Sequence, residues 1–553
     1  MGNKKIIPIG IDNFEDMMKG NHYYIDKSDF IKDVLIQSGK VKLFTRPRRF
    51  GKTLNMSMLK YFFDIQNSEI NRKLFDGLAI TKTEYMSEQG QYPVIYFSFK
   101  DVKFKTWEET YNKMKSIICN VYGKFNFVEE KLSGEQKEYF EKIKSKKDDV
   151  DWRDSLKNLT EYLYIYYGKK SVILIDEYDN PIRSAYFEGY YDAGINFFRN
   201  FLSSVLKDNE YLEKGVLTGI LRVAKEGIFS GLNNLMVNTV ISNNFSEYFG
   251  LLEDEVIELL NYYKLDYELE EVQKWYNGYK FGEIQVYNPW SIMSYVNERV
   301  IQPNWINVSS NEEIIDIIKN SVTTGNFEII EKLEQLLLGY PIEEQIYMAA
   351  NMLDLSNNRE TWQLMLFSGY LTIKEKISLD EYELKIPNEE VRYFFKNTFL
   401  DNVLDRSSNF WNMINSLLKK EMGKYKYYLQ QIILNSVSYH DIGTEEKPYH
   451  NLLLGMILSL DIQYNIMSND EIGYGRSDLA LEPFDKRKEG FVFEFKVAKK
   501  ESDFERLGKE ALEQIKEKNY IHKMKENGVK EIILVGMVFL GKEVYSVEEY
   551  LKF

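Results

Sequence analysis

One short segment limits the folds open to this chain more than any other. The apolar run Val41–Phe44 predicts a strand, a basic turn follows, and Gly51-Lys52-Thr53 leads into a helical pattern. Strand, turn and helix in this order are the context of a phosphate-binding loop. The start of the helix offers unpaired N–H groups and partial positive charge, which suit a phosphate. The alternative is a chance triplet beside a solvated basic turn.

In the phosphate-loop interpretation, Lys52 reaches the outer phosphates of a nucleotide and the Thr53 hydroxyl binds a magnesium ion. The consensus loop opens with glycine and continues with small residues, whereas this loop is rich in arginine. Guanidinium groups form charge-assisted hydrogen bonds to phosphate. We therefore include three arginines among the candidate phosphate contacts: Arg46, Arg48 and Arg49.

A second motif supports this interpretation. The four apolar residues Val172–Ile175 predict a strand buried on both faces, as in a parallel α/β sheet, and the strand ends in Asp176-Glu177. This is the pattern of a Walker B element. Asp176 would contact magnesium through water, and Glu177 would orient and deprotonate the attacking water. The alternative is a buried strand that ends in an acidic helix cap, and the upstream loop favours the nucleotide hydrolase.

A third apolar segment, Lys214–Gly219, predicts a strand one crossover unit later. In P-loop NTPases with this strand arrangement, such a strand lies between the two motif strands, and its last polar residue senses the γ-phosphate. Thr218 is the candidate sensor, and Arg222 is a candidate phosphate contact just beyond it. A capping threonine and a surface arginine are equally compatible with the pattern.

The length of 553 residues predicts about three domains, which we place at residues 1–240, 241–408 and 409–553. The formal net charge of −14 disfavours non-specific coating of nucleic acid, so any such contact needs a local patch. The single cysteine, Cys119, excludes an internal disulfide and fits a reducing compartment. With no apolar run near the ~20 residues of a membrane helix, we expect a cytoplasmic protein without a membrane partner.

The middle region carries mainly helical patterns, followed by two predicted strands, Phe367–Ile373 and Tyr382–Ile386, and a helix that opens after Pro387. This order is typical of a winged-helix-like module. Such a module binds DNA in some proteins and packs as a lid or linker in others.

The last region contains a second candidate site. Phe491–Val497 predicts a strand in which Glu494 and Lys496 share one face, because successive side chains alternate. If this strand and the one after Asp478 form a hairpin centred on Lys486, Asp478 faces Glu494, since each lies eight residues from the centre. Facing residues lie ~5 Å apart at Cβ, a separation that lets two carboxylates share one divalent ion.

Two carboxylates on magnesium beside a lysine predict phosphodiester cleavage, because the metal activates water and the ammonium offsets developing charge. The set comprises Asp478, Glu494 and Lys496, with Gln514 as a supporting residue from the next helix and His450 as a further metal ligand. The alternatives are an exposed, salt-bridged hairpin face and a partly buried structural histidine. From Phe484 to Lys530 there are 13 Lys and Arg against 10 Asp and Glu, a locally basic balance.

Residues 5–240 resemble the AAA-ATPase-like domain of a family of two-part bacterial proteins. In that family, an arginine takes the place of the first loop glycine, and the whole segment from Arg46 to Thr53, with Phe50 and Gly51, forms the nucleotide loop. The matching motifs are Ile9–Phe14, Tyr24–Lys27, Arg46–Thr53, Ile175–Asp179, Leu217–Gly219, Ser230–Asn234, Tyr276–Tyr279 and Tyr287–Pro289.

From about residue 440 the chain resembles the PD-(D/E)XK nuclease-superfamily domain that accompanies this ATPase-like domain. The match rests on Tyr449-His450, Gly473–Asp478, Glu494-Phe495-Lys496 and Gln514-Ile515. The resemblance implies an α/β protein with an AAA-like parallel sheet, a helical and winged-helix-like middle region and a C-terminal restriction-endonuclease-like domain.

We therefore expect ATP and Mg²⁺ as cofactors and a nuclease activity, on DNA rather than RNA, that is coupled to ATP. The alternative is a nucleotide-dependent switch whose nuclease-like domain binds nucleic acid or a protein without cleaving it. A scaffold that nucleotide merely stabilises is a third possibility. The sequence leaves the oligomeric state open.

Overall fold

The computed structural model describes residues 4–223, 235–265, 269–308, 311–323, 327–337, 339–347, 358–402, 408–436, 463–467, 479–517 and 519–553, with residues 449, 453, 457 and 460. The chain divides into two compact units, which are residues 1–309 with 343–391 and residues 310–342 with 392–553. The expected middle domain, 241–408, is thus shared between both units, and the three-domain division remains a prediction.

The first unit is built around a five-stranded sheet in the order β2-β3-β4-β1-β5, in which every pair of neighbours is parallel. Its strands are β1 Val41–Thr45, β2 Val94–Ser98, β3 Ser171–Asp176, β4 Leu212–Gly219 and β5 Leu235–Asn238. All six residues of β3 are buried, as its continuous apolar run predicts. The expected position of β4 between the two motif strands is confirmed, and this is the sheet of a P-loop-like domain.

Among the described residues before 309, the first unit contains thirteen helices. They are α1 Phe14–Lys19, α2 Asp29–Ile36, α3 Lys52–Phe63, α4 Ser68–Arg72, α5 Trp107–Lys124, α6 Gly134–Lys144, α7 Ser155–Tyr167, α8 Asn180–Phe187, α9 Tyr191–Leu206, α10 Glu253–Tyr263, α11 Leu269–Tyr276, α12 Pro289–Glu298 and α13 Asn304–Val308. Short 3-10 helices lie at Lys73–Phe75, Ala79–Lys82, Glu84–Glu88, Asn126–Lys131, Trp152–Asp154 and Ser246–Tyr248.

Helix α3 begins directly after the basic turn because the turn ends in a glycine. Gly51 has a φ of +80°, a conformation that a side chain would strain. Met58 and Phe62, spaced four residues apart, are fully buried, so the predicted apolar face of the helix packs into the unit.

The middle region combines a hairpin, a small sheet and four helices. The strands are β6 Tyr279–Phe281, β7 Ile284–Val286, β8 Ile342–Gln345, β9 Thr372–Lys376 and β10 Glu381–Lys385, and the small sheet has the order β8-β10-β9. The helices are α14 Glu312–Thr323, α15 Phe327–Leu337, α16 Asn358–Ser368 and α17 Glu389–Asn402. The predicted order of two antiparallel strands followed by a helix is present. The first strand starts at Thr372 rather than Phe367, because Phe367 and Ser368 complete α16.

The second unit contains a five-stranded mixed sheet in sequential order. Its strands are β11 Tyr464–Met467, β12 Leu479–Pro483, β13 Gly490–Val497, β14 Glu531–Leu540 and β15 Glu543–Lys552. Strands β13 and β14 are parallel and the other pairs are antiparallel, an arrangement consistent with a nuclease-like α/β domain. Besides α14, α15 and most of α17, its described helices are α18 Ser408–Leu418, α19 Met422–Ser436, Phe504–Lys516 and Asn519–Glu526, with a 3-10 turn at Glu501–Asp503.

Within the described parts of the chain, no helix combines the length and the apolar composition that crossing a membrane requires. The apolar run Ile532–Leu540 instead forms most of β14, where nearly every residue is buried.

A close backbone approach joins β6 to the segment before α17. Gly278 has a φ of +98°, and a Cβ there would lie 2.0 Å from the carbonyl oxygen of Pro387. Gly77 has a similar φ of +84°, but a Cβ there would meet no atom within 4 Å. A comparison of substitutions at these two glycines therefore separates the effect of backbone strain from that of a steric clash.

We expect Gly278→Ala to lower the free energy of unfolding by ~2 kcal/mol more than Gly77→Ala, because only the first adds overpacking to the strain of a left-handed conformation. Urea denaturation of the two variants measures the difference. Equal losses would contradict the close approach.

A buried carboxyl stabilises the start of α13. Glu390 accepts hydrogen bonds from the Ser291 hydroxyl at 2.7 Å and from the backbone N–H of Trp305 at 2.5 Å. Burial raises the pKa of Glu390 from its ordinary value of 4.5 to about 7, although these hydrogen bonds oppose the rise. The folded protein therefore binds this proton more tightly than the unfolded chain does.

Because the folded pKa is the higher one, the contribution of Glu390 to stability is complete below pH 4.5 and is lost as the pH rises to about 7. We expect Glu390→Gln to remove this part of the pH dependence, measured by urea denaturation between pH 4.5 and 7.5. Glu283→Gln, at an exposed position in the β6–β7 turn, is the control and should leave the slope unchanged. An unchanged slope in Glu390→Gln would refute the assignment.

Candidate functional site

The predicted phosphate loop lies at the carboxyl end of β1, with α3 leading away from it. Lys52 is 6% exposed, and its ammonium donates hydrogen bonds to the loop carbonyls of Arg46 at 2.9 Å and Pro47 at 2.8 Å. Burial lowers the pKa of Lys52, and the nearby charges of Glu177 and Asp176 oppose that shift. The lysine is thus folded back over the loop, close to the two acidic residues of the Walker B motif.

Asp176 connects the three elements that meet at this edge of the sheet. Its carboxylate is 1% exposed and accepts hydrogen bonds from the Thr53 hydroxyl at 2.8 Å, from the Thr218 hydroxyl and from the N–H of Glu177 at 3.1 Å. The structure therefore brings together the predicted magnesium residues and the predicted sensor. Carboxylate and hydroxyl oxygens are ligands that Mg²⁺ accepts, so these residues fit a nucleotide-bound magnesium ion.

The first loop arginine points to the opposite side of β1. The Arg46 guanidinium is fully buried and donates to the carbonyls of Thr45 at 2.9 Å and of Asn238, the last residue of β5, at 2.8 Å. It also lies 5.0 Å from the Phe249 ring and 5.2 Å from the Phe281 ring. Burial lowers its pKa to about 9. Since β1 separates β5 from β4, Arg46 lies away from Asp176, and its predicted phosphate contact remains a prediction.

The other two arginines differ in their surroundings. Arg48 is half-buried, and its positive charge lowers the pKa of Lys52, after the larger effect of burial, which places Arg48 near the lysine. Arg49 is exposed and has a φ of +69°, and its guanidinium stacks 3.7 Å from the centre of the Trp290 ring. Of the three, Arg48 is the arginine best placed for a phosphate.

The remaining loop residues contact the segments that follow the ATPase-like sheet. Phe50 is buried, with ring centres 5.0 Å from Tyr279 and 5.1 Å from Phe281 in the β6–β7 hairpin. A Cβ on Gly369 would lie 2.9 Å from the Cβ of Pro47. Sequence reasoning missed these contacts, because a phosphate-loop consensus describes contacts to the nucleotide and carries no signal for the outer side of the loop.

Glu177 follows Asp176 in a left-handed conformation, with a φ of +51°. Its side chain is half-buried, and its charge opposes the lowering of the Lys52 pKa. Arg222 is also half-buried, and its Nε has no hydrogen-bond partner among the described residues. The family motif Ser230–Asn234 lies outside the described residues.

The predicted hairpin of the second unit has the predicted register. In each described β12–β13 pair, the two residues lie the same number of positions before and after Lys486. The pairs are Leu479 with Phe493, Ala480 with Val492 and Leu481 with Phe491. Asp478 is the next residue before β12, but it lies outside the described residues, as does His450. The facing of Asp478 and Glu494 therefore stays a prediction, as does the metal-ligand role of His450.

Glu494 and Lys496 share one face of β13, as predicted. The Glu494 side chain is 2% exposed, and the Lys496 ammonium lies 3.4 Å from its Oε1. Phe493 and Phe495, on the opposite face, are fully buried. The partner of Glu494 in β14 is Gly536, which adds no side chain beside the carboxylate.

The described residues supply one carboxylate and one ammonium at this position. Across the described parts of the chain, no group of three His, Cys, Asp or Glu side chains comes together to hold a metal ion. A divalent ion beside Glu494 therefore needs a further ligand, the role predicted for Asp478.

Gln514 is exposed on the helix Phe504–Lys516, which packs on the Glu494 face of the sheet. Lys516 contacts Glu549 of β15 at 2.9 Å. Two residues correspond to a rotation of ~200° around a helix, so Gln514 projects from the flank away from β15. Its supporting role remains a prediction.

Comparison with known proteins finds two family models that match different parts of the chain. Residues 8–229 match the model of a predicted AAA-ATPase family, and residues 444–549 match the model of the PD-(D/E)XK nuclease superfamily. An uncharacterized protein from the vnfD 5′ region of Azotobacter chroococcum mcd 1 is 25% identical over 553 residues, which cover 97% of each chain. The chain therefore joins an AAA-ATPase-like domain to a C-terminal domain of the PD-(D/E)XK nuclease superfamily.

Proposed function

We propose that this protein hydrolyses ATP in its first unit and uses the nucleotide to control Mg²⁺-dependent cleavage of DNA in its second. The observation that carries the proposal is the buried Asp176 carboxylate, which the hydroxyls of Thr53 and Thr218 contact directly. The hydroxyls proposed as magnesium ligand and as sensor thus both bond to the proposed Walker B acid. A cytoplasmic location belongs to the proposal, since ATP and DNA are both available there.

In the proposed hydrolysis, Lys52 exchanges its two loop carbonyls for the oxygens of the outer phosphates, so that its ammonium is never left unpaired. Arg48, whose charge acts on Lys52, adds a second cation. Glu177 orients the attacking water and takes its proton. Thr53 and Asp176 would hold a magnesium ion, which would supply neutralisation of charge on the phosphates.

In the proposed nuclease reaction, the buried Glu494 helps to hold the metal, and Lys496 stabilises the charge that develops on the scissile phosphate. Magnesium supplies polarisation of the phosphate and activation of water. Glu494 is suited to this role because it is deeply buried, where the local dielectric is low and electrostatic interactions are stronger. Its carboxylate also lies 3.4 Å from the Lys496 ammonium. DNA is the proposed substrate, with RNA as an outcome to be tested.

The link between the two reactions is also a proposal. The chain passes between the units three times, after residues 309, 342 and 391. Each passage is a covalent route by which a nucleotide-dependent change in one unit could reach the other. The loop contacts of Phe50 and Pro47 supply the first step of such a change, since movement of the loop moves the β6–β7 hairpin and the turn at Gly369.

We expect Glu177→Gln to retain ATP-induced thermal stabilisation while ATP turnover falls by ~10²-fold or more, because the variant removes only the base. Lys52→Ala should lose both, because it removes the phosphate contact. Phosphate release and a thermal shift assay with ATP measure the two effects. Lys169→Ala, at an exposed position before β3, is the control and should resemble the wild type. Full turnover in Glu177→Gln would overturn the assignment of the base.

We expect Glu494→Gln and Lys496→Ala each to reduce Mg²⁺-dependent cleavage of labelled DNA by ~10²-fold or more, because the first weakens the hold on the metal and the second removes the cation beside the scissile phosphate. The assay compares DNA with RNA and the presence of ATP with its absence. Lys509→Ala, which changes an exposed lysine of the helix Phe504–Lys516, is the control.

Cleavage that survives both substitutions would end the nuclease assignment. Metal-independent DNA binding without cleavage by the wild type would favour the nucleotide-dependent switch instead.

A further inference from the structure

The two residues after Glu177 form hydrogen bonds with the end of β4 and with the residues just beyond it. The N–H of Tyr178 donates to the carbonyl of Thr218 at 2.9 Å. The Tyr178 hydroxyl donates to the carbonyl of Leu221 at 2.7 Å and accepts from the N–H of Val223 at 3.0 Å. Tyr178 is completely buried. One side chain thus ties the end of β3 to the residues beyond β4.

Asp179 makes a second connection to the same segment. Its carboxylate is 1% exposed, and one oxygen, Oδ2, accepts from the N–H groups of Ile220 at 3.0 Å and Leu221 at 2.9 Å. Burial raises the pKa of Asp179, and the charge of Arg183 together with the two N–H groups opposes the rise. Burying a carboxylate is costly unless it is hydrogen-bonded, so these two amide contacts stabilise the buried Asp179 side chain.

The approach of the carboxylate requires a glycine at the end of β4. A Cβ on Gly219 would lie 2.5 Å from Oδ1 of Asp179 and 2.9 Å from Cδ1 of Tyr178. Gly219 directly follows the sensor Thr218, so the clasp, which we define as Tyr178 and Asp179 with their contacts to residues 218–223, begins at the sensor itself.

The clasp also surrounds a strained residue. Glu177, with its φ of +51°, occupies a left-handed conformation that is unfavourable for a residue with a side chain. Such conformations persist only where neighbouring contacts over-determine them. Here the flanking N–H groups are both held, that of Glu177 by Asp176 at 3.1 Å and that of Tyr178 by Thr218 at 2.9 Å. The clasp therefore fixes the direction in which the Glu177 side chain leaves the backbone.

We propose that Tyr178 and Asp179 are positioning residues for ATP hydrolysis, which hold Glu177 and Thr218 at a set distance and orientation without contacting the nucleotide. This role rests on the proposed ATPase function. The same contacts hold the backbone on both sides of Arg222, because the Tyr178 hydroxyl bonds to Leu221 and Val223.

The test uses four variants of the full chain. Asp179→Ala removes the acceptor, whereas Asp179→Asn keeps an oxygen that can accept from the same amides. Gly219→Ala forces the clasp open from the β4 side. The double variant Asp179→Ala/Gly219→Ala combines the two changes that open the clasp. Gly123→Ala is the control, because a Cβ at Gly123 meets no atom within 4 Å. The measurements are kcat, KM for ATP, ATP affinity, thermal stability and hydrogen–deuterium exchange of the peptide that covers residues 217–223.

We expect Asp179→Ala and Gly219→Ala each to lower kcat by ~10- to 10²-fold, since small displacements of catalytic groups have effects of this size, with ATP affinity within about threefold of the wild type. Asp179→Asn should restore kcat to within about threefold of the wild type. The double variant should be no worse than either single variant, because both changes break the same contact. Exchange in residues 217–223 should rise in the variants that open the clasp and stay at the wild-type rate in Gly123→Ala.

Unchanged exchange in Asp179→Ala would overturn the clasp. Raised exchange with unchanged kcat would reduce Asp179 to a structural residue and overturn its positioning role. A wild-type protein that binds ATP without hydrolysing it would overturn the proposed function and, with it, the positioning role, while the exchange data would still decide whether the clasp exists.

Discussion

The nucleotide site that we propose depends on one buried carboxylate. Asp176 is removed from water at the carboxyl end of β3, and a carboxylate in that position is stable only when donors surround it. The donors come from α3, through Thr53, and from β4, through Thr218. The satisfaction of this carboxylate thus links α3, β3 and β4 at one edge of the sheet. The carboxyl ends of parallel strands are the usual location of ligands in open α/β sheets, and the proposed site lies at such an edge.

The two sides of the predicted phosphate loop make different contacts. Its inner side carries Lys52 and is directed towards Asp176 and Glu177. Its outer side replaces the expected small residues with side chains that contact β5, the β6–β7 hairpin and α12. Arg46 lies between two aromatic rings, and Phe50 packs against the same hairpin. Arg46 and Arg49 of this arginine-rich loop therefore pack against other parts of the first unit.

Several features were predictable from local patterns. The period-two alternation of β13 places Glu494 and Lys496 on one face, and the length of the intervening turn sets the β12–β13 register around Lys486. The buried character of β3 and the position of β4 follow from apolar runs and from the order of motifs along the chain. In each case the physical cause lies within a few residues of the pattern or in the regular geometry of strands.

The amino-acid sequence alone determined which segments form the two sheets and which acidic, basic and hydroxyl residues stand at their ends, because alternation, apolar runs and turn lengths act locally. Only the tertiary structure decided what those residues contact. Arg46 reaches Asn238, and Asp179 reaches Ile220 and Leu221, across separations of 192, 41 and 42 residues. No local pattern encodes such pairs, since they arise when the burial of polar groups forces distant backbone donors and acceptors to satisfy one another.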